Sequence, residues 1–261
     1  MKLMLTAFSC ILAFFVDAQT KELPSAVNRW KDIKVRDART GQRRQILNGS
    51  TLDLASLSIH SSTLKPGVAN HPPVVYSDVE ELVIIKEGRL SVTINDSTKE
   101  LGPGGLVLVV AGSKQTFTNQ SKNPCTYYVL AYKSKNPVNI QRGKMAGSTF
   151  IKDWTELEVR KTDKGESRPI FDRASSMFER FDVHATTLNP GFASHAAHTH
   201  RVEEIILMIR GNGEMQIGNT FNKATAGDVI LLNSKVPHAI KNTGTVPCSY
   251  FAIQWHNLKN D

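Results

Sequence analysis

The chain has 261 residues, 40% of them apolar and 21% charged, with 17 Gly and 11 Pro. This is a globular composition, long enough for one large domain or two ordinary ones, and it excludes a disordered tail, a collagen-like fibre and a polytopic membrane protein. The formal charge of +8 (32 Lys+Arg against 24 Asp+Glu) is basic, but the cations are scattered. Without a Lys/Arg block interleaved with aromatics, nucleic-acid binding is not expected; such a surface serves an anionic small molecule or solubility as well.

The chain starts MKLMLTAFSCILAFFVDAQT, with Lys2 ahead of an apolar run from Leu3 to Val16. That run is shorter than the roughly 20 residues that span a bilayer. Val16-Asp17-Ala18 suits a signal peptidase, so residues 1–18 read as a signal peptide cleaved after Ala18, with Cys10 discarded. The mature protein is then expected to be secreted or periplasmic, without a stable membrane anchor. Its two cysteines, Cys125 and Cys248, read most simply as buried small hydrophobes, and their pairing is left open.

From there the chain is one unit written twice. An offset of 124 lays Trp30 on Trp154, Arg44 on Arg168, His60 on His184 and His71 on His195. After one lost residue the offset is 123, laying VEELVIIKEG (79–88) on VEEIILMIRG (202–211), Gly104 on Gly227 and Pro124-Cys125 on Pro247-Cys248. The halves are placed at 27–133 and 151–256, with 134–150 as a linker. Within each, short runs such as LSIHSSTL, EELVIIKEG, GLVLVVAG and CTYYVLAY are rich in Val, Ile, Leu and Tyr and are bounded by turn residues such as Pro66-Gly67 and Asn95-Asp96. That pattern predicts all-β barrels with short helices at most.

The second half carries a metal-ligating pattern. On a strand, His198, His200, Val202 and Glu204 leave one face, while Thr199, Arg201 and Glu203 leave the other. His238 arrives from a later strand, in AGDVILLNSKVPHAIKN. Three imidazoles and a carboxylate suit one divalent first-row metal with open positions for water or substrate. His195 is a candidate substrate contact, and Met208 continues the inward parity as a candidate for the pocket wall. Under the repeat, ligand positions 198, 200, 204 and 238 become Val75, Ser77, Glu81 and Gln115, so the first half is expected to be metal-free. The recurring His60/His184 and His71/His195 suggest a hydrogen bond fixing the strand before Pro-Gly. Trp30 and Trp154 are expected to anchor each leading strand, and Arg44 and Arg168 to sit solvated or salt-bridged at the surface.

His198-x-His200-x3-Glu204-x6-Gly211, followed by Gly227-x10-His238-x3-Asn242, resembles the two motifs of the cupin superfamily, and the duplication is similar to that of the bicupins. Asn233 and Lys235 stand where the family usually has Pro and Gly. The resemblance implies two tandem jelly-roll barrels, with the metal (Mn or Fe foremost, with Zn, Ni and Co as alternatives) held by His198, His200, Glu204 and His238 in the mouth of the second. It implies a metal-dependent enzyme acting on a small polar or anionic substrate, of oxygenase, decarboxylase or aminohydrolase type. The alternative is a non-catalytic cupin that holds metal and captures a sugar or other small ligand. Oxalate decarboxylases keep ligands in both halves, and there this chain departs from them. A small-molecule partner is expected, nucleic acid is not, and the pattern is compatible with a homo-oligomer.

Overall fold

The computed structural model describes residues 21–257; the signal peptide expected at residues 1–18, with Cys10, lies outside them. The described residues form two β-barrels related by the repeat, each built from one seven-stranded sheet and a smaller sheet. The central strands explain the sequence pattern. In Glu80–Glu87, Val83 and Ile85 face the interior of the first barrel, while Leu82 and Ile84 face a core shared by both barrels. In Glu203–Arg210, Ile206 and Met208 face the second interior, while Ile205 and Leu207 face the shared core. A strand covered on both faces reads as a continuous apolar run, not as an alternation. Each such side chain, fully buried, contributes about 1.5–3 kcal/mol.

The barrels are joined by exchange. The strand Ala26–Asn28, at the start of the first half, pairs antiparallel with Val229–Leu231 of the second. Reciprocally, Phe150–Lys152 pairs with Leu106–Leu108 of the first half. The boundaries 27–133 and 151–256 thus enclose sequence repeats, but each barrel ends on an edge strand supplied by the other. Trp30 and Trp154 follow these strands and cap the receiving barrels. Trp154 lies over Gly104 (φ +82°), where a Cβ would fall 2.7 Å from its ring, and Trp30 lies over Gly227 (φ +97°), at 3.0 Å. Arg168 is salt-bridged as expected, 3.9 Å from Glu166, but neither Arg44 nor Arg168 is simply solvated: their guanidinium carbons stack 4.3 and 4.4 Å from the Trp30 and Trp154 ring centroids. A planar cation over an indole gains both dispersion and quadrupole attraction.

Two buried glutamates repeat the reciprocity. Glu203, with no exposure, accepts hydrogen bonds from Thr51 Oγ1 (2.6 Å), the Leu52 and Asp53 amides (3.0 and 3.1 Å) and Trp255 Nε1 (3.2 Å). Glu80, its counterpart, accepts from the Ser176 amide of the second half at 2.7 Å. The expected linker contains a short helix, Ile140–Met145, whose Arg142 bonds the carbonyls of Ser175 and Ser176 and pairs with Glu179. No helix among the described residues is long and apolar enough to cross a membrane.

Candidate metal centre

The site is built by two segments of the second barrel meeting at its mouth. The continuous strand expected from His198 to Glu204 is interrupted: residues 201–202 form a bend, and the strand begins at Glu203. His198 is held instead by a reciprocal backbone pair with His238, with amide–carbonyl distances of 3.3 and 3.0 Å. The bend is fixed from the first half, where Asp53 takes Arg201 in a bidentate pair at 2.9 Å on each arm. His238 enters after a turn in which Lys235 adopts φ +62°, the left-handed conformation for which glycine is the usual choice. Asn233 ties that turn to the N-terminal stretch ahead of Ala26–Asn28 by donating to the Leu23 carbonyl at 3.0 Å.

The ligand atoms of His198, His200 and His238 all lie within 4.8 Å of one another. One Glu204 oxygen lies 3.2 Å from His238 Nε2 and 3.5 Å from His200 Nε2. The tautomers follow from the opposite ring edges: Nδ1 of His238 and of His200 each lies 2.8 Å from a backbone carbonyl, of Val236 and Val202 respectively. A carbonyl only accepts, so Nδ1 carries the proton and Nε2 presents a lone pair. Both Nε2 atoms are buried and make no well-formed hydrogen bond. Two lone pairs directed at a carboxylate oxygen are mutually repulsive until a cation lies between them, so these residues fit a metal ion. Burial opposes charge on Glu204, but the two imidazoles, when a proton on Nε2 turns them into donors, outweigh it and hold its carboxyl at about 2. The carboxylate in turn keeps His200 above its ordinary value, whereas burial and the neighbouring rings lower His198.

A cavity of about 440 Å³ opens on this cluster. His195 is on its wall, its ring centroid 4.1 Å from that of His198. Met208 is not: it points inward as parity requires, but lies deeper in the barrel core, and Ile206 and Met215 take the wall positions. The cavity also holds a group whose recurrence in both halves suggests a structural role. His184 leaves the inner face of Arg180–Leu188, and its Nδ1 lies 3.3 Å from Asp182. Its parity with Asp182 and Thr186 was the available signal. Neither His pair fixes Pro-Gly: His71 and His195 bond the adjacent carbonyls of Pro72 and Ala196, and His60 and His184 line the two barrel cavities.

In the first barrel the equivalent centre is closed by different chemistry. Gln115 Nε2 donates to Glu81 at 2.7 Å, occupying the carboxylate with an N–H. Strand pairing sets Val74, not Val75, opposite Gln115, so Tyr76 rather than Ser77 lines the cavity beside Glu81. Cys125 and Cys248, at equivalent strand starts in separate barrels, are both buried and both free.

The cupin domain family matches the chain twice, over residues 61–131 and 184–254. No curated protein matches it. Among solved structures, a putative glyoxylate-induced protein from Pseudomonas aeruginosa aligns at TM-score 0.71 and 17% identity, covering 94% of this chain and 93% of that one. The oxalate decarboxylase of Lactobacillus farciminis, solved as a formate complex, aligns at 0.67 and 14%, covering 90% and 87%. A single-substitution variant of the Bacillus subtilis oxalate decarboxylase aligns at 0.68 and 16%, covering 92% and 80%. At these identities the likeness is one of fold.

Proposed function

The chain belongs to the cupin family as a tandem pair of cupin domains, and from that premise we propose that it is an exported metal-dependent enzyme. It binds one divalent transition metal in its second barrel and acts there on a small polar or anionic substrate. His198, His200, Glu204 and His238 hold the metal. The observation that carries this reading is the pair of buried Nε2 lone pairs facing one Glu204 oxygen. The donor set of three imidazoles and one carboxylate suits Mn or Fe first, with Zn, Ni and Co also accommodated. A bound divalent ion supplies a Lewis acid that polarises a carboxylate or carbonyl and lowers the pKa of water.

The surrounding residues have separate roles. Lys164, whose Nζ also donates to the Ser194 carbonyl at 2.9 Å, places a cation on the cavity wall for an anionic substrate. His184, oriented by its Nδ1–H toward Asp182, presents the Nε2 lone pair as a proton acceptor. Burial raises the Tyr250 phenol, which keeps its proton and serves as a hydrogen-bond donor. Ile206 and Met215 supply the apolar wall. Likeness to oxalate decarboxylases favours small carboxylates as the first substrates to screen.

The test is elemental analysis of the purified protein. About one metal per chain is expected, lost in His200→Ala and His238→Ala; two metals per chain, or retention in both variants, would overturn the reading. Export rests on the composition of residues 1–18 and predicts a purified N-terminus at Gln19.

A further inference from the structure

The first barrel keeps a cavity of about 200 Å³ where the second has its metal pocket. Its wall carries Arg43, His60, Tyr76, Glu81, Phe117 and Tyr127. Glu81 is clasped by the Gln115 amide, so the carboxylate is poised among hydrogen-bond donors and not among lone pairs. His60 lies mostly buried, and its Nδ1 has no hydrogen-bond partner. Burial and the nearby charge of Arg43 push that ring down to about 4, so it is neutral and offers one donor and one acceptor. Asp182, which orients His184 in the second barrel, is replaced here by Ser58, so the ring has no carboxylate at that position. Arg43 stands exposed at the rim, and its charge reaches both His60 and Glu81.

We propose that the first barrel is a metal-independent binding site for a small hydroxylated carboxylic acid of sugar-acid type, its carboxylate on Arg43 and its hydroxyls on Glu81 and His60. The chemistry selects on both ends. A carboxylate such as Glu81 accepts hydroxyl protons and repels an anion without hydroxyls. A neutral sugar satisfies Glu81 and His60 but leaves the Arg43 cation without its bidentate partner. The rings of Phe117 and Tyr127 give the C–H face of such a ligand an apolar surface. The volume equals roughly six or seven waters at about 30 Å³ each, enough for one such molecule and too small for an oligosaccharide. This site does not depend on the metal reading of the second barrel.

Calorimetric titration of the full chain with D-glucuronate tests the proposal, with D-glucose and acetate as partial probes. One glucuronate per chain is expected, bound at least about tenfold more tightly than either partial probe. Glu81→Gln and His60→Phe should each weaken it about tenfold or more, and Arg43→Gln should erase the preference for glucuronate over glucose. His238→Ala should leave glucuronate binding unchanged even as it removes the metal. Binding that survives Glu81→Gln and His60→Phe but vanishes in His238→Ala would overturn the proposal, because the probe would then occupy the second barrel. Absence of binding by the unmodified protein up to about 10 mM would overturn it equally, since a built site is expected to hold its ligand well below that concentration. If the interior variants fail to fold, Arg43→Gln at the exposed rim carries the test alone: an unchanged preference for glucuronate then counts against it.

Discussion

Replacing Glu203 by Gln exchanges one carboxylate oxygen for an NH2 group inside a nest of four donors. One oxygen accepts from Thr51 Oγ1, the Asp53 amide and Trp255 Nε1, and the other from the Leu52 amide. Whichever way the new amide turns, at least one donor faces another donor, and the remaining bonds lose their charge assistance. Bonds to a charged group contribute about 1.5–3 kcal/mol against about 0.5–1.5 for neutral ones. The change thus costs about 1 kcal/mol at each of three bonds and about 2 at the fourth. No longer burying a charge offsets part of this sum, leaving a net loss of about 2–4 kcal/mol. For a chain of this size that lowers Tm by about 5–15 °C. Glu204→Gln, one residue along on the opposite face, should do the reverse: it removes the metal while leaving the chelator-treated protein within about 1 kcal/mol of the parent. Scanning calorimetry in chelator, paired with elemental analysis of each protein as purified, reads both effects. The reasoning fails if Glu203→Gln melts within about 1 kcal/mol of the parent, or if it sheds metal as completely as Glu204→Gln does.

Gly104→Ala forces a side chain into a positive φ and drives its Cβ to 2.7 Å from the Trp154 ring. A loss of about 2–4 kcal/mol is expected, visible in urea unfolding followed by tryptophan fluorescence. Metal retention should fall with pH, because protons compete for the imidazoles. His200, held above its ordinary value by Glu204, takes up a proton most readily of the three, so metal is lost progressively as the pH falls, while Glu204, at about 2, stays ionised throughout. Dialysis at stepped pH with metal analysis measures this, and retention unchanged down to about pH 5 would contradict it. Glu81→Gln should leave the metal count per chain unchanged by elemental analysis, since Glu81 is already engaged by Gln115.

Much of this architecture was legible in the sequence because duplication leaves a direct record: matched Trp, Gly and His positions delimit two barrels before any geometry is known. The inward set was legible for a partly different reason from the one that operates. Period-2 parity assigned His198, His200 and Glu204 to one face of a strand, yet a bend at residues 201–202 separates the histidines from Glu204, and backbone pairing with His238 restores their convergence. Local periodicity could not reveal that bend, because it is pinned by Asp53, which lies 148 residues away in the chain. Strand exchange was hidden for the same reason: Ala26–Asn28 has the same composition whichever barrel it joins. Arg44 and Arg168 looked like surface cations because cation–π stacking on Trp30 and Trp154 leaves no spacing signature. Met208 was placed on the correct face but at the wrong depth, since parity gives direction and not distance from the mouth.

The traded edge strands bear on how such a chain arose. A single-barrel ancestor with the same leading segment could have donated it only to a second molecule, giving a homodimer with two equal pockets and two equal seams. Fusing the two genes would turn that intermolecular handshake into an intramolecular one and release the pockets from identity, since each could then mutate alone. Cutting the present chain between Ser134 and Asn139 would partly reverse that step. The fragments should stay together through the seams alone, two polypeptides resembling the ancestral pair but with pockets no longer alike.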